Sequence, residues 1–202
     1  MIAESTLEVP APARKWTYAE IAALPDAVLR ELHDGVPVIM PSPNLRHQKL
    51  YLRLLFAIQQ WIEAGGGGLL YPQPVDLKID THKVLIPDLS YYVTDDAASV
   101  ESENGNYLRA VPDLVVEIVS PSSADIDREY KYEVYAEIGV KYYWIIDPGA
   151  WNFQAFRLED GEYRFEASLS DEGEFSPLVF PGLKLPMKPL FGPRENENAD
   201  QE

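Results

Sequence analysis

Two carboxylates stand in apolar surroundings. Asp88 lies within VLIPDLSYYV (84–93), and Glu117 within the still more apolar PDLVVEIVS (112–120). Burying a carboxylate on a central strand costs several kcal/mol unless it is paired or binds a metal. If these two strands are neighbours in one sheet, Asp88 and Glu117 meet. Two like charges a few ångströms apart either share a proton or hold a cation. Oxygen-only ligands favour Mg²⁺, Mn²⁺ or Ca²⁺ over zinc. The alternative is that each carboxylate reaches water at a strand end, or pairs with an arginine. Lys131 follows Glu117 by 14 residues, in an early turn of the next helical segment. From there its ammonium can point back over the sheet, orient a water and stabilise charge on a phosphorane. A solvated helix lysine is the plain alternative.

The elements that must position these groups follow from pattern. Thr17 and Glu20 have capping-box spacing and open a short helix that Pro25 disrupts. RELHDGVPVIM reads as a hairpin about Asp34-Gly35, with Glu31 in its first strand. Asn44 caps a helix running to about Ala64, with Leu50, Leu54, Leu55, Ile58, Trp61 and Ile62 at helical spacing. Gly65 to Gly68 end it; a phosphate cradle there is disfavoured, because such loops precede helices. VDLKID (75–80) alternates as a half-buried strand, 84–93 is a strand open to interruption at Pro87, and 95–110 is a polar connection. Residues 112–120 form a central strand covered on both faces. Residues 123–138 form a helix closed by Gly139, 141–148 a buried strand, and 151–169 a hairpin about Asp160-Gly161. The Pro-rich stretch 173–192 drapes over the body. The fold class is α/β (α+β): a mixed sheet flanked by helices, with additional antiparallel hairpins.

Composition bounds the function. The 202 residues carry 17 Lys and Arg against 33 Asp and Glu, a net charge of −16, with no cysteine. That excludes a disulfide framework, a thiolate zinc site and a cysteine nucleophile. No apolar run approaches the ~20 residues that span a bilayer, and MIAESTLEVPAPARKW lacks the plan of a signal peptide. The expectation is a cytoplasmic protein with no membrane partner. Residues 1–15 read as a flexible arm, 16–192 as one domain and 193–202 as a disordered acidic tail. The acidity is not confined to the ends, since residues 14–193 alone sum to −11. Nucleic-acid binders ordinarily show a basic footprint. Here Arg46, Lys49 and Arg53, at i, i+3 and i+7, form the one helical basic stripe, which serves equally as a solvated face.

An ordered set of motifs resembles the Uma2 family, also called DUF820, of the PD-(D/E)XK nuclease superfamily. The set comprises RELHDGVPVIMPSP, His47 at the helix opening, IPDLSYY, VPDLVVEIVSPSS and DREYKYEVYAEIGVKYYWIID, and the resemblance spans roughly residues 16–190. It implies a restriction-endonuclease-like core and metal-dependent phosphodiester hydrolysis on nucleic acid, with DNA the expected substrate, giving a 5′-phosphate and a 3′-hydroxyl. By that resemblance Asp88 is the aspartate of the PD motif and Glu117 the acidic residue of (D/E)XK. The third position of that motif is Val119, so the lysine comes from the following helix as Lys131. Glu31 matches an early family glutamate that can reach the metal, and His47 the helix-opening histidine. The implied metal set is Asp88, Glu117, Glu31 and the Ile118 carbonyl around one or two Mg²⁺ or Mn²⁺. Arg46, Lys49 and His47 are the substrate-binding candidates. Asp113 also follows a proline and competes for the PD position, but its place suits strand entry. Asp125, Asp127 and Glu129 are acids expected before a helix, and His33 and His82 receive no role. The tyrosines at 130, 132, 135, 142 and 143 suit packing better than base stacking. Two other classes stay open: a degenerate nuclease fold acting as an interaction module, and an assembly protein, such as a homodimer through strands 142–156.

Overall fold

The computed structural model describes residues 14–24, 30–40, 42–119 and 126–194, without the side chains of 126 and 127. The expected arm (up to residue 13), the break at Pro25, Asp125 and the acidic tail from 195 lie outside the described residues. Thr17 opens α1 (Tyr18–Ala22). Its hydroxyl accepts the Glu20 N–H at 3.4 Å, and the Glu20 carboxylate accepts the Thr17 N–H at 2.9 Å, as the spacing predicts. Strands β1 (Arg30–His33) and β2 (Val36–Ile39) pair antiparallel. Between them Asp34 and Gly35 sit at φ +50° and +91°, the consecutive left-handed pair that a two-residue hairpin turn requires. Asn44 caps α2 (Leu45–Trp61) by accepting the His47 N–H at 3.0 Å, and α2 buries His47, Leu50, Leu54 and Ile58. A π-helical turn, Ile62–Gly66, ends it.

Then follow β3 (Leu69–Pro72), β4 (Leu77–Lys78), β5 (Val84–Leu85), β6 (Leu89–Tyr92), the short α3 (Ala97–Val100) and β7 (Leu114–Ile118). A π-helical turn, Ile126–Tyr130, leads into α4 (Lys131–Ile138), closed by Gly139. The chain continues through β8 (Tyr142–Asp147), β9 (Asn152–Glu159), β10 (Glu162–Leu169), β11 (Glu174–Phe175), β12 (Leu185–Pro186) and α5 (Met187–Phe191). The strands form a six-stranded sheet in the order β10-β9-β8-β7-β6-β3, a four-stranded sheet in the order β2-β1-β5-β4, and the pair β11-β12. Strands β7 and β8 are parallel; α4 lies in the connection between them, as a parallel pair requires a long crossover. The other pairings are antiparallel. The expected mixed sheet with flanking helices and added hairpins is what forms.

Two expectations need correction, and one strand had no expectation. Residues 84–93 are two strands in two different sheets: β5 pairs with β1 and β4, while β6 pairs with β3 and β7. Pro87, which has no N–H for a ladder, marks the crossing. VDLKID is strand only at Leu77–Lys78, although Leu77 is buried with Val75 and Ile79 packed beside it, as the alternation implied. Strand β3 carried no clear signal, because LLYP is short and ends in proline. The Pro-rich stretch does drape: Phe180, Leu185, Met187, Leu190 and Phe191 lie buried against Leu50, Leu54, Trp144 and Phe153. No helix among the described residues is long and apolar enough to cross a membrane.

Candidate active site

The register of the central strands brings the two carboxylates together. Leu89 stands opposite Val116 and Ser90 opposite Val115. Asp88 directly precedes Leu89 and Glu117 directly follows Val116, so both lie at the C-terminal end of β7. The Pro87 junction serves both sheets at this point. On one side of it the Ile86 N–H donates to Glu31 Oε1 at 2.9 Å; on the other side Asp88 enters the six-stranded sheet. Asp88 Oδ2 accepts the Ile118 N–H at 2.6 Å. Its Oδ1 accepts the Gln73 amide at 2.6 Å and lies 3.1 Å from His47 Nε2.

Lys131 is wholly buried. Its Nζ donates to Glu117 Oε1 at 3.0 Å and lies 2.9 Å from Glu31 Oε1. The Tyr135 hydroxyl, one helical turn on, donates to the same Glu117 oxygen at 2.7 Å. His33 Nε2 lies 2.7 Å from Glu31 Oε2, and its ring stacks on Tyr130 at 4.3 Å between centroids. Burial alone would push the Glu31 carboxyl up. The Lys131 ammonium, His33 and the Ile86 N–H outweigh it and hold the carboxyl below the ordinary glutamate range. Burial, with the Glu117 charge next, drives the Tyr135 phenol well above its usual value, so it donates rather than ionises. Burial and the charge of Asp88 push Tyr51 up to about 12.

Asp88, Glu117, Lys131, Glu31 and His47 are thus brought to one end of the sheet and buried there. Arg46 and Lys49 are exposed on α2 beside them. Asp113 lies at the other end of β7, where it accepts the Val93 N–H at 2.9 Å and pairs with Lys141 at 2.8 Å, so it is a strand-entry residue. His82 contacts the Trp16 carbonyl at 2.7 Å. Tyr132, Tyr143 and Tyr163 pack ring to ring, and Tyr143, Trp144 and Phe153 of the aromatic strands are buried within the chain's own core. Three contributors receive no site role from the sequence: His33 is given none, Tyr135 reads as packing, and Gln73 is not among the candidates. His33 had a signal, since it lies two residues after Glu31 and so shares its face. Tyr135 had one too, four residues after Lys131. Gln73 had none: it reaches Asp88 through the fold, its N–H donating to the Asp88 carbonyl at 2.9 Å.

Two comparisons bear on the family and the fold. The family described as "Uma2: Putative restriction endonuclease" matches residues 17–188. The chain belongs to the Uma2 family. A solved structure, described as "a putative nuclease belonging to DUF820" from Anabaena variabilis ATCC 29413, superposes with a TM-score of 0.71 at 20% identity. The match covers 87% of this chain and 97% of that one, which establishes a shared fold. No curated protein matches the chain.

A divalent metal is what the resemblance to nucleases leads one to expect, and buried carboxylates are the oxygen donors such an ion takes. Glu31 and Glu117 flank one buried lysine, and Asp88 is buried at the same end of the sheet, hydrogen-bonded to the N–H that follows Glu117. Buried His47 Nδ1 has no hydrogen-bond partner among the described residues, the mark of a polar space meant for more than protein atoms. Among the described residues no three His, Asp or Glu side chains converge as a metal cage. Mg²⁺ typically uses one or two carboxylates together with substrate phosphates rather than an all-protein cage.

Proposed function

We propose that this Uma2 chain is a metal-dependent nuclease that hydrolyses phosphodiester bonds in DNA. The observation that carries this reading is the buried ammonium of Lys131, held between Glu31 and Glu117. A buried lysine fixed by two carboxylates is costly to maintain for stability alone. At the edge of an acidic pair it is a donor preset for negative charge.

Asp88, Glu117 and the Ile118 carbonyl are the groups to hold Mg²⁺ or Mn²⁺, one ion or two. When bound, the ion lowers the pKa of a water and offsets phosphate charge. The chain's own residues do the positioning. Gln73, His47 and the Ile118 N–H fix Asp88, while Tyr135 fixes Glu117. Lys131 orients the attacking water and hydrogen-bonds the non-bridging oxygens as charge builds. Glu31, whose oxygens serve Lys131, His33 and the Ile86 N–H, holds Lys131 in place and is less available as a metal ligand. The water oxygen bonds to phosphorus as the P–O3′ bond breaks. One proton passes to solvent and the 3′ oxygen takes one up, leaving a 5′-phosphate and a 3′-hydroxyl.

The test is calorimetric titration of Mg²⁺ and Mn²⁺ into the wild type and into Asp88→Asn/Glu117→Gln, with cleavage assays on DNA and RNA. Metal binding and DNA cleavage are expected in the wild type, with turnover reduced by at least ~10²–10³ in the double variant. A wild type that binds neither ion with or without DNA, and cuts neither polymer, overturns the reading in favour of an interaction module.

A further inference from the structure

Against a net charge of −16, one cavity is lined by cations. It has a volume of about 230 Å³, and its wall includes Arg46, Lys49, Arg53 and Arg194 together with Pro148 and Trp151. Among the described residues no carboxylate side chain lines it.

The cavity is built rather than accidental. Arg53 Nη1 donates to the Phe191 carbonyl at 2.8 Å and to the Leu190 carbonyl at 3.2 Å, which anchors its guanidinium. Gly192, at φ +84°, lets the chain pass against that guanidinium; a Cβ there would meet Nη1 at 2.5 Å. Arg194 is held bidentately by Asp171 at 2.7 and 2.8 Å and lies over the Trp151 ring at 5.1 Å. Lys49 and Arg46 complete the wall from exposed positions on α2.

Its location ties it to the candidate active site. Strand β8 runs parallel to β7 with Ile146 opposite Ile118, and the Val119 N–H donates to the Ile146 carbonyl at 2.9 Å. Pro148 and Trp151, which follow β8, are therefore at the sheet end that carries Glu117. On α2, His47 reaches Asp88 while its neighbour Arg46 lines the cavity. The volume falls below the ~300 Å³ at which pockets for drug-sized ligands begin, so it suits a phosphate group rather than a whole nucleoside.

We propose that this cavity holds a backbone phosphate of the nucleic-acid strand next to the phosphodiester to be cut. An acidic nuclease must hold its polyanionic substrate against repulsion that is screened only beyond ~8–10 Å. Arg46, Lys49 and Arg53 beside the site do that, with Arg194 balanced by Asp171, and phosphate contacts set register without reading sequence. The identity of the polymer rests on the nuclease reading above; the anion site does not.

The test measures binding of labelled single-stranded and duplex DNA by fluorescence anisotropy in EDTA, where no cutting occurs. The variant is Arg46→Gln/Lys49→Gln, at two exposed positions, and the charge-matched control is Arg164→Gln/Lys184→Gln. The cavity variant should bind about tenfold more weakly, with a salt dependence shallower by about one phosphate contact; the control should match the wild type. In parallel, inorganic phosphate should change Trp151 fluorescence saturably, read as the difference from Trp151→Phe, and this response should vanish in the cavity variant. Equal DNA affinity and salt slope in the cavity variant and wild type overturn the proposal, even if the wild type cuts DNA. A DNA affinity lost in the cavity variant, in a wild type that cuts nothing with metal, overturns the nuclease reading alone. A phosphate response without DNA binding leaves an anion site and overturns its assignment to nucleic acid.

Discussion

The two faces of the six-stranded sheet are covered by opposite chemistry. On one face Leu114, Val116, Ile118, Trp144 and Ile146 meet Leu50, Leu54, Ile58, Phe175 and Phe180, an apolar and aromatic layer. On the other, Val115, Tyr143 and Ile145 meet Val134 and Tyr135 of α4. Glu117, which shares that face by strand alternation, is buried there with Lys131 and Glu31. The difference separates stability from chemistry. The apolar face is stabilised by non-directional burial. The charged face remains folded only while every ion has its partner. Residue 117 is the one interruption in β7 of an otherwise apolar strand, and it is the residue the candidate active site is built on.

The largest contrast comes from removing the ammonium. Lys131→Met leaves Glu31 and Glu117 buried without it, and breaking a buried ion pair from one side typically costs ~3–5 kcal/mol. Urea unfolding at neutral pH should show a loss of that order, and cleavage should fall by ~10²–10³. Glu117→Gln sharpens the comparison. It leaves Lys131 against Glu31 and keeps an acceptor for Tyr135, so stability should change far less while cleavage is lost. Equal stability of Lys131→Met and wild type would mean that the ion network does not hold this face.

The apolar face should respond with stability alone. Trp144 is fully buried and packs on Phe153 and Phe175 at 5.4 and 5.5 Å. Trp144→Ala should cost ~3–5 kcal/mol through lost burial and a cavity. Trp144→Phe should cost much less, about 1 kcal/mol or below. Trp144 Nε1 has no hydrogen-bond partner among the described residues, so the lost packing is offset by relief of a buried orphan donor. In both variants the folded fraction should bind metal as the wild type does. Thermal unfolding read beside metal calorimetry checks this, and a changed metal affinity in Trp144→Phe would show the two faces to be coupled.

The same division explains what the sequence could disclose. Strands β7 and β8 were legible because both of their faces are buried, leaving an unbroken apolar run in which Glu117 stood out. The turns at Asp34-Gly35 and Asp160-Gly161 and the caps at Thr17 and Asn44 were legible because local backbone geometry demands those residues. Strand β3, the β11-β12 pair and the split of 84–93 were not, because tertiary pairing rather than local pattern decides such short segments. For the candidate site, Asp88 and Glu117 were legible as misfits in apolar strands. The roles of Glu31 and His47 came only through family motifs. Gln73 was invisible, since its contact with Asp88 depends on how the β3–β6 pairing places two segments 15 residues apart.

The smallest effect, and the most specific to the charged face, is on pH. The Glu31 carboxyl lies below the ordinary glutamate range when folded, because Lys131, His33 and the Ile86 N–H together outweigh the effect of burial. As pH falls, the unfolded chain therefore takes up its proton at Glu31 first, near ~4.3. The stability this carboxylate contributes is complete above that value and is lost as pH falls through the lower, folded one. Acidification also relieves the repulsion within a −16 chain, but it does so equally in close variants, so the difference between two variants isolates Glu31. Urea unfolding between pH 7 and 3 should show Glu31→Gln less stable than wild type at neutral pH, with the gap closing as pH falls. Trp144→Phe, altered in the apolar layer with no contact to Glu31, should run parallel to the wild type throughout. A gap for Glu31→Gln that stays constant with pH would remove the charge of Glu31 from what holds Lys131 in place. His33 and the packing around Tyr130 would then be left as the agents that fix it.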